Sequence, residues 1–143
     1  MVHVANIRLC TEFVYQKIII YDISTERTYM FEIDYYTDSS GCRPVEKFID
    51  SLGVKMKAKL FGRLELLEEH GSQLGMPYSR YLEDGIFELR IVQGSDIIRV
   101  MYFFVVGERV ILTHGFVKKT QRTPRSEIDR AKSLREDWGK RNE

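Results

Sequence analysis

The chain has 143 residues, 43% of them apolar, and 22 Lys and Arg against 21 Asp and Glu give a formal charge of only +1. Its 8 Tyr, 8 Phe and 1 Trp exclude disorder throughout, no run reaches the roughly 18 apolar residues of a membrane span, and residues 1–29 mix charges among apolar positions, unlike a secretory signal. Cys10 and Cys42 are too few for a disulfide framework and lack metal-ligand spacing, so the expectation is a reduced, cytoplasmic protein without metal or cofactor.

Residues 31–36 (FEIDYY) alternate apolar and polar side chains as a strand does. The turn-rich TDSSGCR (37–43) leads to Pro44, which suits the first position of a helix. Val45, Phe48, Ile49 and Leu52 then share a face, and Gly53 reads as the stop. A second helix carries Met56, Leu60, Leu64 and Leu67 as its apolar stripe and ends at Gly71. Lys55, Lys59 and Arg63, spaced four apart, line another side of it. Residues 86–92 alternate as a strand, and Gly94-Ser95 makes a two-residue hairpin loop. Residues 97–106 are apolar enough for a central strand buried on both faces. Gly107-Glu108 makes the next turn, into a strand over 110–116. A last helix starts with Thr123 as N-cap and Pro124 as first residue, and Ile128, Ala131, Leu134 and Trp138 form its apolar face. Strand, two helices, three or four meandering strands and a helix make a small α+β domain.

The small total charge hides a segregation. Residues 30–113 hold 10 basic and 13 acidic groups, whereas residues 114–143 hold 9 basic and 5 acidic. Within the acidic middle, Lys55, Lys57, Lys59 and Arg63 share a stretch, 54–64, without any acid. Counting outward from two-residue turns sets Arg90 opposite Arg99, Val106 opposite Arg109, Met101 opposite His114 and Arg99 opposite Phe116. Glu88, Arg90, Arg99, His114 and Phe116 then converge on one patch of sheet, with Lys118 continuing the same side and Lys119 and Arg122 beyond. Two facing arginines need an anion between them. Either Glu88 bridges them, or they await a phosphate, which guanidinium forks bind bidentately. His114 reads either as a rim histidine or, beside two arginines, as a group able to move protons. A one-residue slip in either turn would scatter the patch. Phosphate loops, nucleophile elbows and zinc spacings are missing.

The stretch 85–131 resembles RelE/HigB-type toxins of type II toxin–antitoxin modules, closest to their phage-derived branch. The resemblance lies in FELR (87–90), RVMYFF (99–104) and ILTHGFVKKTQRTPRSEI (111–128), and extends back through YTDSSGCRPVEKFIDSL (36–52). It implies a RelE-like domain over 30–143: an antiparallel-rich curved sheet with an N-terminal helical hairpin and a C-terminal helix. It also implies a translation-inhibiting mRNA interferase, a metal-independent endoribonuclease acting on ribosome-bound mRNA and neutralised by a cognate antitoxin, expected to be of helix-turn-helix type. On matching positions Arg90 and Arg99 would stabilise the phosphate, His114 would shuttle protons and Lys118 would assist. Lys55, Lys59, Arg63, Phe116, Lys119 and Arg122 would hold RNA. The competing expectations are a non-enzymatic ParE-like toxin of DNA gyrase and a degenerate phage protein that only binds.

Residues 1–29 have no counterpart in that pattern. They are expected to be an extension of unknown role, with Met30 a natural start. The opposing expectation is that FVYQKIIIYDI (13–23) adds a strand.

Overall fold

The computed structural model describes residues 20–21, 27–28 and 30–142. Among the described residues it is an α+β domain: three α-helices on an open, mostly antiparallel five-stranded sheet. Strands β1 (Ile20–Tyr21) and β2 (Arg27–Thr28) pair with each other, antiparallel. The rest of the expected 13–23 strand, and the start at Met30, lie outside what the described residues settle. Among the described residues no helix is long and apolar enough to cross a membrane.

The main sheet runs in the order β3 (Glu32–Tyr35), β7 (Arg109–Val117), β6 (Asp96–Val105), β5 (Ile86–Gln93), β4 (Ser79–Glu83). Only the β3–β7 pair is parallel. Helices α1 (Pro44–Asp50) and α2 (Val54–His70) cover one face, and α3 (Arg125–Arg141) covers the other. Alternation along the strands therefore divides the core in two. Ile33, Leu89, Ile91, Ile98, Val100, Tyr102, Val110 and Leu112 meet the stripe Met56, Leu60, Leu64 and Leu67. Ile86, Met101, Phe103 and Ile111 meet Ile128 and Ala131 instead. Because β6 supplies both cores, it is buried on both faces, as its unbroken apolar run requires.

Two glycines mark close approaches. Gly71 ends α2 at φ +54°, and a Cβ there would lie 2.0 Å from the Phe31 ring. Gly115 lets α1 reach β7, since its Cβ would lie 2.2 Å from the Phe48 ring.

Three local expectations need correction. First, α1 stops at Asp50 with Ser51 as its cap, and Gly53 instead precedes α2 as its N-cap. Second, the β6–β7 turn has three residues rather than two. Val105 faces Arg109, with Gly107 at φ +92° and Glu108 at φ +62° between them. Third, α3 begins at Arg125 with Pro124 at its cap, and Thr123 does not cap it. The Thr123 hydroxyl donates to the buried Glu88 carboxylate, a partner that spacing cannot reveal. Farther along α3, Arg125 and Lys132 hold Glu83 of β4, and together they draw its carboxyl down to about 2.

Candidate functional site

Where β5, β6 and the end of β7 run side by side, the Gly94 hairpin sets the register and Arg90 lies directly across from Arg99. Arg99 in turn faces Phe116, and Met101 faces His114. These pairs are the expected ones, although the turn that was meant to create them is one residue longer. A bulge between Met101 and Tyr102, opposite the Leu112–His114 stretch, compensates. Thr113, the extra residue there, donates its hydroxyl to the Met101 carbonyl at 3.2 Å.

The two arginines differ in surroundings. Arg99 is 3% exposed. Its Nε lies 3.5 Å from Oε2 of Glu88, itself 1% exposed, and its Nη1 donates to the Ile98 carbonyl at 3.0 Å. Burial lowers the Arg99 pKa, Glu88 opposes that, and Arg90 adds to it. Glu88 thus pairs Arg99 but does not bridge the two guanidiniums, and Thr123 occupies its other oxygen. Arg90 is half-buried, and its Nη1 lies 3.1 Å from the Met76 sulfur.

Arg90, Arg99, Lys118 and Lys119 line a groove of about 610 Å³. Ile97, Thr120 and Gln121 complete it, so among the described residues the groove has no carboxylate in its wall. The Lys118 ammonium donates to the Gln121 carbonyl at 2.9 Å, which ties together the 118–121 loop that lines the groove. Burial lowers the Lys118 pKa, and Arg99, Arg90 and Arg80 lower it further against the opposing pull of Glu88. Four clustered cations, one of them the Glu88-paired Arg99, give this concave wall a positive potential of the kind that suits a polyanion.

The remaining expected residues fall elsewhere. His114 is 1% exposed beneath the first turns of α3 and outside the groove wall. Its Nδ1 lies 3.1 Å from the Thr113 hydroxyl and its Nε2 3.4 Å from Glu127 Oε1. Burial, helped by Arg130, pushes its pKa down to about 3, so the ring is neutral in the folded protein at neutral pH. Phe116 stacks on that ring at 6.2 Å and packs against the α3 core. On α2, Lys59 donates to the Val92 carbonyl at 3.0 Å and Arg63 Nε to the Arg90 carbonyl at 3.3 Å. Both cations cap the outer edge of β5 where β4 stops short. Lys55 is exposed beside the 93–96 turn. Arg122 is exposed on the loop before α3.

Sequence reasoning missed Thr123, Met76 and Arg80. Arg80 faces Glu88 across β4–β5, a placement readable only once β4 is known to pair there.

No curated protein matches the chain. The family model described as "Phage derived protein Gp49-like (DUF891)" matches residues 47–136, from within α1 almost to the end of α3. That family is associated with toxins of toxin–antitoxin modules. The match includes both sheet arginines and the 118–121 loop, and covers more than half of the chain: the protein belongs to the phage-derived Gp49-like family.

Proposed function

We propose that this protein is the toxin of a type II toxin–antitoxin module, a metal-independent endoribonuclease that cuts mRNA on the ribosome and is silenced by a separate antitoxin. The observation that carries this reading is the groove of Arg90, Arg99, Lys118 and Lys119. A carboxylate-free cationic wall suits a phosphodiester chain, and guanidinium forks match its oxygens. The reaction is the one that the sequence's resemblance to RelE/HigB-type toxins implies. A ribose 2′-hydroxyl attacks the adjacent phosphorus, forming an O2′–P bond and breaking the P–O5′ bond. The 2′ proton goes to a base, the five-coordinate phosphate gathers negative charge, and the departing 5′ oxygen takes up a proton.

In this reading Arg90 and Arg99 stabilise that charge. Lys118 is the groove residue suited to proton transfer, because its lowered pKa populates the neutral amine at a lower pH than an ordinary lysine. Burial at neutral charge favours His114 as support for α3 over the shuttle role expected from its motif.

The same burial favours a second reading, a binding-only toxin of the ParE type directed at DNA gyrase, since that needs no proton shuttle. Induced expression in bacteria separates the two. The nuclease reading expects translation to stop with new ends within translated message. Relaxed plasmid DNA with intact message would support the gyrase reading.

A further inference from the structure

Beside the groove, residues 76–81 carry side chains that the phosphate chemistry does not use. Tyr78 is 37% exposed and belongs to neither core cluster. The Arg63 guanidinium lies over its ring at 4.7 Å. Arg63 is itself anchored through Nε to the Arg90 carbonyl, and the Arg90 amide donates to the Tyr78 carbonyl at 2.8 Å. Met76, 61% exposed, touches the Arg90 guanidinium from the same segment. An exposed ring is therefore stacked on Arg63, and its backbone is hydrogen-bonded to that of Arg90 at the mouth of the groove. Other cation–ring contacts differ: Arg109 over Trp138 and Arg141 over Tyr36 are paired with Asp34 and Asp137. Arg63 forms no ion pair among the described residues, so its charge remains available beneath the Tyr78 ring.

We infer that Tyr78, backed by Arg63, is a stacking platform for one nucleobase of a single-stranded RNA whose phosphate occupies the Arg90–Arg99–Lys118 groove, and that it helps set which sequences are engaged. This rests on the RNA reading of the groove. Stacking on an aromatic ring accepts any base, with preferences set by stacking strength, and an uncompensated cation nearby adds attraction for the backbone. The geometry separates two tasks: the groove holds phosphate, and Tyr78 holds the base.

The test titrates the full chain with single-stranded oligoribonucleotides carrying one 2-aminopurine at successive positions, and maps cleavage ends on ribosome-bound message. Wild type should quench the probe most strongly at one position. Tyr78→Ala should abolish that position dependence, weaken binding about tenfold and shift the cleavage pattern. Tyr78→Phe and Tyr78→Trp should retain all three properties. Arg90→Ala should instead weaken binding to all sequences alike. Wild-type affinity, quenching and cleavage positions in Tyr78→Ala would overturn the platform alone, as would full activity in Tyr78→Leu, which covers Arg63 without stacking. A wild-type chain that binds none of the oligonucleotides would overturn the RNA reading and the platform with it.

Discussion

Arg90 and Arg99 face each other across one rung of the sheet, yet their substitutions should have different consequences. Removing Arg99 leaves the Glu88 carboxylate buried without its cation, a change that costs about 3–5 kcal/mol in comparable buried pairs. Arg90 is half-buried and shares no ion pair with Glu88. Chemical denaturation should therefore show Arg99→Ala severely destabilised and Arg90→Ala close to wild type. Arg90→Ala is the variant that isolates function, with cleavage reduced about 10²-fold or more if the guanidinium stabilises the transition state. His114 gives a second outcome at this scale. Its folded pKa, about 3, lies below its ordinary 6.5, so between those values the unfolded chain binds the extra proton. Its contribution to stability is full above about 6.5 and lost as pH falls toward 3, with a slope of at most about 1.4 kcal/mol per pH unit. Urea titrations across that range should show a shallower acid decline for His114→Phe than for wild type.

Among the elements, β7 carries the tightest constraint. A methyl group at Gly115 would press into the Phe48 ring and push α1 off the sheet, so Gly115→Ala should destabilise by about 1–3 kcal/mol, read by thermal unfolding. Thr123 ties the start of α3 to Glu88. Thr123→Val should leave one oxygen of that buried carboxylate without the hydroxyl, at a cost of about 1–3 kcal/mol, and amide exchange should quicken in the first turns of α3. How legible these elements were depended on locality. The Gly94 turn, the α2 stripe and the β6 run are local patterns, and the Arg90–Arg99 rung follows by counting from the turn. The rung at Arg99–Phe116 came out right because two departures cancel: a longer turn at 106–108 and a bulge at Thr113. Nothing in the residue types announces that bulge. The burial of His114 and the capture of Thr123 by Glu88 were illegible for a different reason. Both depend on where α3 packs, a contact between distant parts of the chain.

For the whole molecule, the formal charge of +1 says little about binding, because the cations gather where the groove opens. If about four groove cations contact a single strand, the logarithm of its affinity should fall with the logarithm of salt at a slope of roughly −3. Loss of one cation, as in Arg90→Ala or Lys119→Ala, should flatten that slope by a fraction of a unit to one unit, measured by fluorescence anisotropy. Cutting is the decisive property. Purified protein should be mixed with ribosomes carrying a defined message, then the chelator-treated reaction should be compared with the same reaction using Arg90→Ala. The groove chemistry predicts new 5′-hydroxyl ends within the ribosome-bound message for wild type despite chelation, and almost none for Arg90→Ala. Intact message with the wild-type protein, or equal cutting by the folded Arg90→Ala variant, would contradict it.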